Sequence, residues 1–309
     1  MQHHGGPSHD MVRLEAARFR MGSDRFYPDE GPAHVREVEA FWIDRYAVTN
    51  GQFARFVDDT GYITVAEREL DPAEFPGADP DDLVPGAMVF TPTAGPVDLR
   101  DWRQWWRWVP GAHWRQPGGA GSSVAARPRH PVVHVAYADA AAYAAWAGLR
   151  LPTEAEHEYA ARGGIDGADF AWGDEPYPGG VPQANTWIGR FPYDNRGVGD
   201  AAPVGSYPPN PYGLYDMIGN VWEWTSSAYA PRHSLPEGGG VEREGRRDLL
   251  ATAPGGPGPT GPLRRVIKGG SYLCSPDYCL RFRPAARSPQ AEDAGMSHLG
   301  FRCARTAAG

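Results

Sequence analysis

The chain has 309 residues, enough for one large domain or two ordinary ones. Gly (39) and Pro (31) make up nearly a quarter of it, about twice average usage, while 41% hydrophobic residues and 11 Trp exclude a disordered chain. Net charge is −8 with no basic stripe, which excludes nucleic acid as a partner; three cysteines exclude a disulfide-built scaffold and fit a reducing cytoplasm.

The stretch Met11–Met21 reads as a strand, and Val35–Tyr46 alternates as a second. Thr49–Gln52 forms a cap leading into Phe53, Phe56 and Val57 at helical spacing, and Gly61 stops that helix. Residues 71–130 carry Pro, Gly and Trp without clear periodicity and read as long packed loops. Asp139–Gly148 is an Ala-rich helix with Tyr143 and Trp146 on one face. Thr153-Glu154-Ala155-Glu156 is a capping box opening a helix to about Arg162. Residues 231–262 read as an exposed excursion, and Arg264–Tyr272 and Leu299–Ala304 as closing strands. The Met1–Pro7 stretch lacks the apolar core of a signal peptide, and no apolar run is long enough to span a membrane. The expectation is one α+β domain of irregular, loop-rich architecture over residues 11–305, after a flexible N-terminus of residues 1–10.

The sole lysine, Lys268, precedes Gly-Gly rather than following a Gly-rich loop, which argues against Schiff-base and P-loop chemistry alike. Gly256–Gly261 fits GxGxxG but neither follows an apolar strand nor opens a helix, so it is a false positive. His130 and His134 flank Pro131 and two valines, which favours an extended segment and structural histidines over a zinc site. His157-Glu158 lacks the second histidine of HExxH.

Cys274 and Cys279 lie five apart with Pro276 turning the chain between them and Arg281, Arg283 and Arg287 following. Nearby positive charge favours thiolate, and paired thiolates suit Cu(I) or a redox couple. Two small buried residues packing like alanine is the alternative. In Asp216–Trp224 a turn at Gly219 lets Asp216 and Glu223 converge with backbone carbonyls between them, a set suited to Ca²⁺. A Trp-rich core strand with solvated acids reads equally well.

Several stretches together resemble one family. They are Arg150–Gly164, Tyr212–Trp224, Gly269–Cys274 with Gly300–Cys303, Phe19–Ser23 and Tyr46–Asn50. Over roughly residues 11–305 they are similar to the formylglycine-generating enzyme (sulfatase-modifying factor) family, and Gly269–Arg287 looks like the actinobacterial type. The resemblance implies a single loop-rich domain related to the C-type lectin fold. It implies oxidation by O₂ of a cysteine to Cα-formylglycine in an unfolded sulfatase segment with a Cys-x-Pro-x-Arg core. It implies Cu(I) held by Cys274 and Cys279, with Cys274 also able to exchange with the substrate thiol. Ser271 and Trp222 match positions near the oxygen pocket, and Tyr278 lines the peptide groove.

The resemblance further implies structural calcium. Asp216, Gly219, Val221 and Glu223 match one site, with Gly219 and Val221 giving backbone oxygens. Asn185 and Thr186 match the start of another, whose remaining ligands fall in the loop Tyr193–Ala201. That loop is short and lacks the family's Asp-Gly-aromatic sequence, leaving Asn195 or Asp194 as stand-ins. His157 stands where the family has Trp, a change expected to touch packing. Gly295 stands where some members have serine, which leaves oxygen to Ser271, water or His298. Cys303 reads as a buried structural thiol. The other readings are a non-catalytic lectin-like calcium- and ligand-binding module, which has no need of the cysteine pair, and an iron-dependent sulfoxide synthase, which needs a further helical domain. The expected form is a monomer.

Overall fold

The computed structural model describes residues 9–74, 77, 79, 83–233 and 263–307. Both N-terminal strands divide. The first becomes β1 (Met11–Leu14) and β2 (Ala17–Met21), and the second becomes β3 (His34–Val38) and β4 (Phe41–Asp44). The breaks follow from pairing, because β1 pairs antiparallel with β4 while β2 pairs with β3, so each stretch serves two sheets. Alternation marks which face a residue takes and carries no signal for a change of partner.

Both caps form as read, and the one at Thr49 is a full capping box. Helix α1 (Asn50–Thr60) starts at Thr49, whose hydroxyl accepts from Gln52 N while Gln52 Oε1 accepts from Thr49 N at 3.0 Å, and ends at Gly61 with φ +67°. Strands β5 (Gly86–Phe90) and β6 (Trp106–Pro110) pair antiparallel inside the region read as loops. They escaped the sequence reading because a long connection separates them and β6 is half-exposed throughout, without an alternating apolar face. Helix α2 (Tyr137–Trp146) starts two residues earlier than expected, since Asp139 Oδ2 accepts from Ala136 N at 2.8 Å. Phe53 and Phe56 of α1 pack on Tyr143 of α2, with Phe53 stacked on it at 5.8 Å between centroids.

Helix α3 (Glu154–Arg162) is capped by Thr153 and Glu156 and closed by Gly163 at φ +60°. All nine of its residues are buried, carboxylates included, so those charges need partners inside the protein. Strands β7 (Gly189–Arg190) and β8 (Asp194–Asn195) form a small pair. The largest sheet has the order β11 (Arg287–Ala291), β10 (Arg264–Lys268), β9 (Trp222–Ala228), β12 (Leu299–Gly300), antiparallel except for β9 with β12. Strand β13 (Ala304–Thr306) lies on the other side of β4 from β1, so the expected closing strand Leu299–Ala304 also serves two sheets.

The α+β, loop-rich architecture is the expected one. His9, placed in the flexible N-terminus by the sequence, bonds Asp44 Oδ1 at 2.8 Å with both side chains buried. Residues 1–8, nearly all of the 231–262 excursion and the GxGxxG match lie outside the described residues. No helix among those described is long and apolar enough to cross a membrane.

Candidate active site

Strand β10 runs straight into the site. Gly269 and Gly270 follow it with φ +91° and +75°. A Cβ on Gly270 would stand 2.6 Å from Arg281 O and 2.9 Å from Phe282 Cα, so only glycine lets residues 281–282 close against this turn. The loop between is drawn in by backbone bonds from Cys274 N to Ser271 O (2.9 Å) and from Cys279 N to Ser275 O (2.7 Å). Sequence separation by five thus becomes an Sγ–Sγ distance of 3.8 Å. Both thiols are free, Cys274 buried and Cys279 half-buried.

The two sulfurs are electrostatically unequal. Cys274 is held well above the ordinary thiol value, first by its hydrogen bond to Cys279 and then by burial. Cys279 is lowered, first by accepting that bond, with the charges of Arg281 and Arg283 adding to it. Negative charge on the pair is therefore favoured on Cys279, the more exposed sulfur.

Ser271 is fully buried, and its N–H points at Cys274 Sγ at 3.4 Å. Its hydroxyl meets His298 Nδ1 at 3.1 Å, and the His298 carbonyl accepts from Trp222 N at 2.8 Å. Ser271, Trp222 and the thiols are therefore joined through a residue far away in sequence. Tyr278 stacks on Phe191 at 4.4 Å, with Trp105 edge-on to both, and remains 38% exposed. It forms an aromatic wall beside Cys279.

The segment is anchored from behind by acids that the sequence reading missed. Arg281 pairs with Asp29 (2.9 Å), Arg283 with Glu30 (2.9 and 2.5 Å) and Arg287 with Glu154 (2.7 and 2.9 Å). Lys268 bonds Glu158 at 2.9 Å, and Arg162 bonds the same carboxylate at 2.7 Å. The lone lysine is thus structural, and Glu158 is its partner rather than part of a metal motif. The partners of the three arginines lie about 130 to 250 positions away, beyond any spacing pattern.

The calcium residues gather without completing a site. Gly219 turns the chain at φ +78°, and a Cβ there would lie 2.7 Å from Asn185 O, so the two matched segments adjoin. Asn185 Nδ2 donates to Asn220 Oδ1 (3.0 Å), and Asn185 Oδ1 is buried with no partner among the described residues, as a cation ligand would be. Thr186 is buried beside it, and Trp187 N reaches back to Cys274 O at 3.0 Å. Asp216 accepts from Gly205 N at 2.8 Å, and burial raises its carboxyl to about 6.

Glu223 does not fit the role of ligand. Its oxygens accept from Arg302 Nε (2.6 Å), Arg302 Nη2 (2.7 Å) and His157 Nε2 (3.0 Å). Burial alone would raise its carboxyl, and these partners hold it below the ordinary value. Asn195 does not fit either, since its Oδ1 already accepts from Ile188 N and Gly197 N, while Asp194 is exposed. Among the described residues, no three His, Cys, Asp or Glu side chains form a metal-holding group.

His157 therefore gains a polar bond where only a packing change was expected. Gly295 has a steric reason, because a Cβ there would lie 2.6 Å from the His134 carbonyl carbon. His134 donates Nε2–H to Pro117 O (2.8 Å), and Cys303 is buried with its N–H on Asp44 Oδ2 (3.0 Å); both are structural, as expected.

The chain matches the sulfatase-modifying factor enzyme 1-like domain over residues 2–307. It is 58% identical to the formylglycine-generating enzyme of Mycobacterium tuberculosis, over 95% of this chain and 97% of that one. It is 48% identical to the enzyme of that name from Streptomyces coelicolor, over 96% and 89%. Mouse "Inactive C-alpha-formylglycine-generating enzyme 2" is 37% identical over 96% and 86%. Among solved structures, PvdO from Pseudomonas aeruginosa is 27% identical with a TM-score of 0.61, over 96% of this chain and 94% of that one. With the match spanning nearly the whole chain, this protein belongs to the sulfatase-modifying factor (formylglycine-generating enzyme) family.

Proposed function

We propose that this chain oxidises a cysteine of a sulfatase polypeptide to Cα-formylglycine, using O₂, with Cu(I) held by Cys274 and Cys279. Family membership alone does not carry this, since one relative of the same length range is named inactive. The observation that carries it is the thiol pair 3.8 Å apart at the edge of an aromatic wall. Two soft sulfurs suit Cu(I), and a two-sulfur site leaves room for the substrate thiolate as a third donor. Bound there, copper supplies the one-electron chemistry that oxidation by O₂ requires.

The balance is one thiol side chain, one O₂, two electrons and two protons giving one aldehyde, one H₂S and one water. The electrons come from a thiol reductant. The protein's part is positional. Tyr278, exposed and backed by the buried rings of Phe191 and Trp105, offers an aromatic face suited to an extended segment with a Cys-x-Pro-x-Arg core. Ser271 orders the Cys274 sulfur through its N–H, and the buried Trp222 belongs to the same hydrophobic core as Cys274. Calcium has a structural role in this reading only around Asn185, Thr186 and Asp216. Three free thiols fit a reducing cytoplasm.

The test is incubation of Cu(I)-loaded protein with a Cys-x-Pro-x-Arg peptide, O₂ and a thiol reductant, followed by hydrazine labelling. Aldehyde on the peptide is the expected result. No aldehyde from copper-loaded protein overturns the assignment and leaves a ligand-binding module.

A further inference from the structure

We propose that His298 is a positioning residue that turns the hydroxyl proton of Ser271 toward the thiol pocket, a role that rests on the oxidase reading above. His298 lies outside the cysteine segment and is held from three sides. Its carbonyl accepts from Trp222 N at 2.8 Å, its ring stands edge-on to Trp106 at 4.7 Å, and its Nδ1 is 3.1 Å from Ser271 Oγ.

The hydrogen-bond count at Ser271 is restrictive. A serine hydroxyl has one proton and two lone pairs. Leu273 N–H, at 3.3 Å, takes one lone pair. Burial, then the nearby His134, lowers His298 to about 3, so the imidazole is neutral and carries one proton. With that proton on Nδ1, it fills the second lone pair of Ser271. The only polar valence left on the hydroxyl is its proton, directed away from both donors.

The opposite tautomer would draw the serine proton onto Nδ1 and leave the pocket a lone pair. The hydrogen bond the imidazole makes among the described residues runs through Nδ1 to Ser271, so the geometry accommodates the proton on Nδ1. The tautomer is assigned on the ground that a donor beside the thiols complements the charge oxygen takes up as it is reduced. Gly295, barred from carrying a side chain by His134, cannot supply that donor.

The test is kcat/KM for O₂ in a double-mutant cycle of His298→Ala and Ser271→Ala, with Cu(I) affinity and Tm measured alongside. Each single variant is expected to lower kcat/KM for O₂ by about tenfold or more, and the double variant no further than the worse single one. Cu(I) affinity and peptide KM stay at the wild-type value. His298→Asn, which keeps an N–H near the Nδ1 position, restores most of the loss, and His298→Asp, an acceptor only, does not. Wild-type oxygen dependence in His298→Ala, multiplicative losses, a parallel fall in Cu(I) affinity, or rescue by Asp instead of Asn each overturns the inference. Wild-type protein that forms no aldehyde in the same assay sinks the oxidase reading and this inference with it, so the two failures are distinguishable.

Discussion

Replacing Lys268 by Met tests what holds the cysteine-bearing strand end in place. The ammonium is fully buried, 2.9 Å from Glu158 and 3.9 Å from Glu154. At 2.9 Å and an effective dielectric of about 20, the direct attraction is roughly 6 kcal/mol, and desolvation of two ions offsets much of it. Removing one partner of such a pair costs about 3–5 kcal/mol because the other charge stays buried. Here Glu158 keeps Arg162 at 2.7 Å and Gly22 N–H at 2.7 Å, so the loss belongs at the low end, about 3 kcal/mol. In a domain of this size that lowers Tm by roughly 6 °C.

The assay is urea and thermal unfolding at pH 7 of wild type, Lys268→Met, Glu158→Gln and the double variant. The double variant is expected to be more stable than the sum of the singles predicts, by about 1–3 kcal/mol. The Glu158 carboxyl is held well below its ordinary value, because Lys268 and Arg162 outweigh the opposing effect of burial. A depressed carboxyl contributes stability above the unfolded pKa, and that contribution fades as pH falls below about 4.3 toward the folded value. The coupling should therefore be present at pH 7 and shrink on acidification through that range. A Lys268→Met protein within 1 kcal/mol of wild type, or strict additivity, refutes the reasoning.

Three further outcomes are expected. Cys279→Ala abolishes aldehyde formation and Cu(I) retention while leaving Tm within a few degrees, read by hydrazine labelling and a Cu(I) chelator competition; turnover by this variant sinks the two-sulfur site. Gly270→Ala forces a Cβ to within 2.6 Å of Arg281 O at φ +75°, and should cost about 2 kcal/mol or more in urea unfolding, whereas a neutral result contradicts the close approach. His134 is kept neutral by burial down to about 4, so the unfolded state binds its proton first as pH falls. Stability from this group is full at pH 7 and declines between about 6.5 and 4 by at most about 3 kcal/mol. His134→Asn, which tolerates the residue's φ of +59°, should flatten that part of the pH–stability curve.

Local signals were legible wherever cause and effect lie within one or two turns of chain. Thr49 with Gln52, Thr153 with Glu156, and Gly61 all act as read, because caps satisfy neighbouring N–H groups. The Cys274–Cys279 pair was legible as well, since only four residues, one of them Pro276, separate the two thiols. Strand partners were not legible, as the division of Met11–Met21 and Val35–Tyr46 between sheets demonstrates. Nor was the pairing of β5 with β6, which lacks both a short turn and an apolar stripe.

The sequence by itself determined the chemistry at hand: two thiols in one loop, no reactive amine, and glycines where the chain must turn hard. Only the tertiary structure decided which charges and hydroxyls serve that loop. Asp29 and Glu30 neutralise its arginines, His298 meets Ser271, and Arg302 with His157 takes Glu223 away from the expected calcium set. The physical reason is that a buried charge or hydroxyl must find a partner inside the fold. The chain brings those partners from far along its length, and no spacing rule within the sequence records such a distance.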